Sequence, residues 1–288
     1  MPGGAATIPP MAPTLQDLVR RSADFLTGKG IANGRREAEW IFAETLHLTR
    51  LELYTQFDRL LDPPEVERLR ALVTRRGKRE PLAYVLGTQP FRDLVLHVGP
   101  GVLTPRPETE ELVGLILKEW PEIPPRVLDI GTGSGCIALA LKKSRRSATV
   151  EATDASPAAL IQARANAERL ALEVTFHEGH LARHLRGPYA LVVANLPYIG
   201  ESELADCDPE LAHEPQGALF AGPDGLVLIR ELLGDIQRIA PGGTLWLEHG
   251  WRQGQTIQEI STGLGFTALL VKDGAGQDRF TRVTVPAV

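Results

Sequence analysis

Hydrophobic residues recur every three or four positions from Thr14 to about Arg79, a spacing typical of amphipathic helices. Thr14 and Asn33 stand where two of these helices would be capped, and Asp62-Pro63 opens a further one. We therefore predict a helical N-terminal domain over residues 14–80.

The pattern changes between residues 81 and 106 to alternating and β-branched residues separated by turn formers. Tyr84 and Val85 begin this stretch, and the run from Phe91 to Val98 continues it. This texture predicts a β-hairpin linker over 81–106.

Strand-like and helix-like segments alternate through residues 107–288, which predicts an α/β domain with a mostly parallel sheet. The predicted strands are 126–130, 149–153, 173–177, 191–194 and 243–248. The chain ends differently, with a helix and two strands, 266–272 and 279–285, that are expected to form an antiparallel closing pair.

Composition sets limits on function. The 288 residues carry a net charge of -5, which argues against stable nucleic-acid binding over the whole surface. Cys136 and Cys207 are the only cysteines, so neither a disulfide framework nor a metal site is expected, and a reducing cytoplasm fits. Residues 1–13 lack the features of a signal peptide and are expected to be a disordered tail. No apolar run approaches the ~20 residues of a membrane span.

A glycine-rich loop follows the first predicted strand of the α/β domain. Glycines alternate at 131, 133 and 135, unlike the Gly-x-Gly-x-x-Gly spacing of dinucleotide sites, and Asp154 ends the next strand, where ribose hydroxyls would lie. We favour S-adenosylmethionine over a dinucleotide, with a ligand-free turn as the remaining alternative. The candidate cofactor residues here are Asp129, Gly131, Thr132, Gly133, Ser134, Gly135 and Asp154.

The sequence Asn195-Leu196-Pro197-Tyr198 ends another buried strand. An amide-like nitrogen is a poor nucleophile because its lone pair is delocalised, so it needs positioning more than a strong base. The Asn195 oxygen and the Leu196 carbonyl could accept both of its N–H hydrogens, while Pro197 fixes the backbone and Tyr198 stacks on the planar group. These four residues are the candidate catalytic and substrate-binding group, although a structural turn capping the strand is the alternative.

Further motifs make the chain resemble the PrmC/HemK family of release factor glutamine methyltransferases. They are Pro81 to Gly87, Val102 to Glu110, Glu214-Pro215 with Ala218-Leu219, Gly222 to Leu226, Leu247 to Trp251 followed by Gln253, and Lys272-Asp273 with Asp278-Arg279. The resemblance implies a Rossmann-like class I methyltransferase domain with a seven-stranded, mostly parallel sheet, a small N-terminal helical bundle that recognises the substrate, and a hairpin linker. It also implies that the substrate is the glutamine of the Gly-Gly-Gln tip of class I peptide chain release factors.

Site residues follow from the resemblance by position. It assigns the cofactor to the glycine loop, Asp154 and Asn195, and the glutamine to residues 195–198, with Thr109 and Glu110 bordering the cofactor pocket. Three departures stand out. Leu196 replaces the usual first proline, Ala190 replaces an aspartate, and Gly179-His180-Leu181 stands where an acidic residue is usual. We assign the cofactor contact there to Leu181.

An adenine-N6 methyltransferase acting on RNA or DNA is the main rival, because an exocyclic amine poses the same chemical problem. A non-catalytic cofactor-binding module is the third interpretation. We expect a cytoplasmic monomer. The basic run that includes Arg75 and Arg76 is interpreted as a solvated face, or alternatively as a surface that binds the release factor.

Overall fold

The computed structural model describes residues 13–120 and 126–287, so nearly all of the expected tail over 1–13 lies outside the described residues. The chain divides into two compact units, one ending at Leu86 and the other beginning at Gly87. Within the described ranges, no helix is long and apolar enough to cross a membrane.

The N-terminal unit is helical. Thr14 caps its first helix by accepting a hydrogen bond from the Asp17 amide, and Asp62 forms a capping box with Glu65, as the sequence predicts. Asn33 also precedes a helix, but its side chain makes no capping bond. The helices are α1 (Leu15–Gly28), α2 (Gly34–Leu46), α3 (Arg50–Thr55), α4 (Pro63–Gly77) and α5 (Leu82–Leu86).

Helix α5 corrects the prediction that Tyr84 and Val85 belong to the hairpin. The Tyr84 and Val85 amides both donate to the Pro81 carbonyl, which starts a helical turn. Val85 is buried in the same core as α1, α2 and α4. Burial against helices has therefore overridden the β propensity of Val85.

The basic run is only partly a solvated face. Arg76 is 4% exposed and its guanidinium bonds to Glu37 on α2. Arg75 bonds to Glu80 through Nε at 2.9 Å and to the Tyr84 carbonyl at 3.0 Å. Both arginines therefore hold α4 to its neighbours, and reversing their charges would destabilise this unit rather than report on binding.

The hairpin is shorter than expected and lies in the second unit. Its strands are β1 (Thr88–Phe91) and β2 (Leu94–His97), paired antiparallel around Arg92 and Asp93. The buried Asn166 side chain binds both the amide and the carbonyl of His97, at 2.8 and 2.9 Å. This pair of bonds attaches the hairpin to the helix Pro157–Arg169 of the same unit.

The second unit confirms the predicted α/β fold. A seven-stranded sheet has the order β5-β4-β3-β6-β7-β9-β8, and it is parallel from β5 to β7, whereas β9 is antiparallel to both β7 and β8. Its elements are α6 (Pro107–Glu119), β3 (Arg126–Ile130), α7 (Cys136–Ser144), β4 (Thr149–Asp154), α8 (Pro157–Arg169), β5 (Thr175–Glu178), β6 (Leu191–Asn195), α9 (Val227–Ile239), β7 (Thr244–Glu248), α10 (Gly254–Gly263), β8 (Thr267–Lys272) and β9 (Asp278–Thr284).

The strand order reverses at β3. The chain adds β4 and β5 on one side of β3 and then β6 and β7 on the other. Ile130, the last residue of β3, lies beside Thr153 of β4 and Ala194 of β6. Ligands of open α/β sheets bind at such a switch point, outside the carboxyl ends of the strands. The glycine loop, Asp154 and Asn195 all follow directly from these three ends.

Two glycines of this unit test the fold. Gly234 is exposed inside α9, and a Cβ built at this position would meet only open space, so Gly234→Ala should raise the free energy of unfolding by about 0.5–1 kcal/mol. Gly243→Ala should lower it, because its Cβ would lie 2.5 Å from the Tyr189 carbonyl oxygen. Urea titrations of both variants measure the two shifts, and shifts of the same sign would contradict this packing.

Candidate active site

The three alternating glycines form a tight turn at the end of β3. Gly131, Gly133 and Gly135 have φ angles of 74°, 56° and 86°, in the left-handed region that favours glycine. The amides of Gly131 and Thr132 both donate to the Thr153 carbonyl, at 2.8 and 3.1 Å, which fastens the turn to β4. The loop therefore leads directly into α7 with its backbone close to the sheet edge.

Asp129, near the end of β3, holds this loop in place through hydrogen bonds. It is fully buried, and its Oδ2 accepts hydrogen bonds from Thr132 Oγ1 at 2.7 Å and from the Ala138 amide at 3.2 Å. Burial raises the pKa of Asp129 to about 7, although these two bonds oppose the shift. Its Oδ1 has no hydrogen-bond partner among the described residues.

Asp154 connects the loop to the start of α8. Its carboxylate accepts from the Gly133 amide at 2.9 Å and from the Ser156 amide at 2.8 Å. Partial burial raises its pKa, while the backbone hydrogen bonds act in the opposite direction. Asp154 is thus held at the carboxyl end of β4, where the sequence predicted a carboxylate facing ribose hydroxyls.

A cavity of about 340 Å³ lies over these strand ends. Such a volume is in the range of small-molecule sites, and most of the residues lining it are apolar. Nothing lies within 4 Å of a Cβ built on Gly133, so a side chain there would project into open space beside the cavity. The candidate site residues that line the cavity are Gly131, Gly133, Asp154, Leu181, Asn195, Leu196 and Pro197.

Other candidate residues lie outside this lining. Asp129 is buried before the loop, Thr132 and Ser134 are buried residues of the loop itself, and a Cβ on Gly135 would lie 3.0 Å from Leu139 Cδ1. These four residues shape the turn instead of facing the cavity. Thr109, Glu110 and Tyr198 are likewise absent from the cavity lining found among the described residues.

Leu196 is the position where the sequence departs from the family proline. Its side chain is 4% exposed, and its Cδ2 would lie 3.0 Å from a Cβ on Gly131. The leucine therefore packs into the space that the glycine leaves open. This contact joins the Asn195-to-Tyr198 turn directly to the glycine loop.

Tyr198 is held through its backbone. Gln253 Nε2 donates to the Tyr198 carbonyl at 2.7 Å and to the Asp224 carbonyl at 3.0 Å. A Cβ on Gly225 would lie 2.0 Å from the same Tyr198 oxygen, so only glycine fits there. Burial raises the pKa of the Tyr198 hydroxyl, which therefore stays neutral at physiological pH.

Asn195 is bonded to polar residues that do not line the cavity. Its Nδ2 donates to Thr109 Oγ1 at 3.0 Å, and Thr109 Oγ1 donates to Glu248 Oε2 at 2.8 Å. Burial raises the pKa of Glu248 to about 7. Glu248 belongs to a motif that carries the family resemblance, but sequence reasoning assigned it no role at the site.

Two loops that line the cavity were also missed. Residues 101–103 precede α6, and residues 215–218 follow the Asn195-to-Tyr198 turn along the chain, and both stretches contain lining residues. The buried Glu214 accepts from the Thr104 amide at 3.2 Å and forms an ion pair with Arg106, which fastens the loops together. Both segments overlap motifs that carry the family resemblance, and these motifs are the sequence feature that could have identified the two loops as part of the site.

The fold is that of a Rossmann-like methyltransferase. It resembles a methyltransferase from Pyrococcus furiosus with a TM-score of 0.52 and 19% identity, over 67% of this chain and 89% of that chain. It also resembles the T. thermophilus 16S rRNA N2 G1207 methyltransferase in complex with AdoMet and guanosine, with a TM-score of 0.51 and 17% identity, over 70% of this chain and 50% of that chain.

Sequence comparison identifies the family. Residues 17–87 match the PrmC N-terminal domain, and residues 110–220 match the methyltransferase small domain. The release factor glutamine methyltransferase of Geobacter sulfurreducens is 40% identical over 92% of this chain and 95% of its own length. The release factor glutamine methyltransferase of Deinococcus radiodurans is 37% identical over 93% of this chain and 97% of its own length. The chain belongs to the release factor glutamine methyltransferase family.

The raised pKa of Asp129 predicts a pH-dependent stability. The folded protein keeps this proton up to about pH 7, whereas the ordinary pKa is 3.8, so between these values the folded state binds more protons than the unfolded chain. The free energy of unfolding should therefore fall as pH rises through this window, by up to about 1.4 kcal/mol per pH unit for one proton.

Asp129→Asn removes this titrating group and should make the decline shallower. Urea titrations of both proteins without ligand at pH 5, 6 and 7 measure it. Glu248 still titrates in the variant, so some decline should remain. Parallel curves for the two proteins would show that Asp129 is not protonated in the folded state.

Proposed function

We propose that this protein transfers a methyl group from S-adenosylmethionine to the side-chain amide nitrogen of the glutamine in the Gly-Gly-Gln motif of class I peptide chain release factors. One observation carries the proposal. Asn195, Leu196 and Pro197 share a single cavity with Gly131, Gly133 and Asp154, in a chain whose full-length relatives are release factor glutamine methyltransferases.

The glycine loop side of the cavity suits the cofactor. The backbone at Gly131 and Gly133 approaches the cavity without side chains, and the Asp154 carboxylate stands at the end of β4, where it can accept from ribose hydroxyls. Leu181 provides an apolar wall for the adenine. When bound, S-adenosylmethionine supplies the methyl group as an electrophile. The residues of the chain then have to hold an acceptor nitrogen in line with it.

The Asn195 side of the cavity suits a carboxamide. The Asn195 amide oxygen and the Leu196 carbonyl are two acceptors on consecutive residues, matching the two N–H groups of a glutamine side chain. Accepting both hydrogens orients the amide plane and leaves one nitrogen face toward the methyl donor. Pro197 restricts the backbone of this turn, and Leu196 packing on Gly131 fixes its distance from the cofactor loop.

The remaining assignments belong to the same proposal. The helical unit, which ends at Leu86, recognises the release factor away from the modified loop, and the unit that begins at Gly87 carries out the methyl transfer. The protein acts as a monomer in the cytoplasm and makes no stable complex with nucleic acid. The net charge of -5 supports the last point.

A labelled methyl donor tests the substrate assignment. The protein is incubated separately with a class I release factor, with the same factor carrying alanine in place of the motif glutamine, and with total RNA. Label should enter only the unaltered release factor, and peptide mass analysis should find one added methyl group on the Gly-Gly-Gln peptide. Label in RNA with none in the release factor would favour the adenine-N6 alternative instead.

Asn195→Ala tests the role of the amide acceptor. We expect kcat to fall by about 100-fold or more, because a misplaced nucleophile loses the benefit of orientation, while donor affinity falls less than about tenfold. Gln255→Ala deletes an exposed amide on α10 and serves as the control. Equal losses of kcat and donor affinity would mean that Asn195 serves mainly the cofactor.

A further inference from the structure

Three side chains from three elements form a hydrogen-bonded chain behind the cavity. Asn195 at the end of β6 lies beside Glu248 at the end of β7, and Thr109 from the first turn of α6 bridges them. Nδ2 of Asn195 lies 3.0 Å from Thr109 Oγ1, which lies 2.8 Å from Glu248 Oε2. Thr109 and Glu248 are 2% and 1% exposed, so water does not compete for these bonds.

The chemistry of the three groups determines which atom donates in each of these hydrogen bonds. An ionised carboxylate only accepts hydrogen bonds, so Glu248 takes the single hydroxyl hydrogen of Thr109. The lone pairs of Thr109 then face Asn195, which must present its NH₂ group to them. The amide oxygen of Asn195 is the atom left for a ligand in the cavity that Asn195 lines.

We propose that Glu248, acting through Thr109, sets the orientation of the Asn195 amide so that its oxygen, and not its nitrogen, meets the substrate amide. The inference rests on the proposed function, because it deepens the role of Asn195 in holding a glutamine. Thr109 and Glu248 are positioning residues, since neither lines the cavity. With the amide reversed, the Asn195 NH₂ group would face the N–H groups of the substrate, and two donors would meet.

The donor and acceptor roles in this series of hydrogen bonds depend on the charge of Glu248. A protonated Glu248 can donate to Thr109, whose own hydrogen is then free to bond the Asn195 oxygen and reverse the amide. The pKa of Glu248 is raised to about 7, chiefly by burial and also by Glu108 on α6, while the hydrogen bond from Thr109, Arg279 on β9 and the neighbouring Asn195 amide act to lower it. The Tyr198 hydroxyl and the Cys136 thiol also lie near this carboxylate, and burial raises the pKa of both, so they stay neutral.

Thr109→Val removes the hydroxyl and keeps the shape. We expect kcat for release factor methylation to fall about tenfold or more, the cost of one lost orienting hydrogen bond, with the donor Kd within about threefold of wild type. Thr109→Ser keeps the hydroxyl and should restore most of the loss. Thr262→Val makes the same chemical change on the exposed face of α10 and controls for the substitution itself.

Glu248→Gln tests these donor and acceptor roles through the dependence of kcat on pH. In the wild type, kcat should rise with pH to a plateau, with a midpoint near the pKa of about 7. In Glu248→Gln this rise should be absent and kcat should be low throughout, since a neutral amide does not impose one direction on Thr109. Asp129 also has a pKa raised to about 7, so the profile of Asp129→Asn is recorded as well; this variant keeps Glu248 and should keep the rise.

The outcomes separate this inference from the proposed function. Wild-type protein that methylates the release factor, together with a Thr109→Val variant of unchanged kcat or a Glu248→Gln variant of unchanged pH profile, would overturn the inference and leave the function standing. Wild-type protein that methylates no release factor would overturn both. Thermal melting of each variant is measured alongside, and if Thr109→Val does not fold, the Glu248→Gln profile decides.

Discussion

The site depends on the register of three parallel strands. With β3 paired between β4 and β6, Ile130 lies beside Thr153 and Ala194, so the next residue of each strand emerges at the same edge. That edge brings Gly131, Asp154 and Asn195 around one cavity. A shift of one residue in the pairing of β4 or of β6 with β3 would turn the side chains of the shifted strand to the opposite face of the sheet. The proposed donor and acceptor sites therefore exist only because the sheet is aligned in this way.

Buried carboxylates reinforce that alignment from beneath the cavity. Asp129 bonds to the loop and to the start of α7, and Glu248 bonds to Thr109 on α6. Both have pKa values raised by burial to about 7, so their charge changes within the physiological range. Neither faces the cavity, yet each orders a group that does. Maintaining two such residues costs stability, a pattern expected where geometry matters more than folding energy.

Sequence reasoning reached the fold and much of the site because the signals were local. The strand–helix alternation, the glycine spacing and the Asn195 turn each lie within a few residues of one another. It failed where a residue's role comes from distant partners. Val85 is helical because a helical core buries it, and Arg76 is structural because Glu37 on another helix binds it. Glu248 reaches the site through the pairing of β6 with β7 and its hydrogen bond to Thr109 of α6, neither of which local patterns specify.

The central claim is that Asn195 and Leu196 hold a carboxamide beside the cofactor loop. A crystal structure of the protein with S-adenosylhomocysteine and a Gly-Gly-Gln peptide tests it most directly. We predict that the glutamine amide nitrogen lies within hydrogen-bond distance of both Asn195 Oδ1 and the Leu196 carbonyl oxygen, with the cofactor sulfur on the open side of that nitrogen. A glutamine bound elsewhere, or an Asn195 that contacts the cofactor alone, would contradict the account.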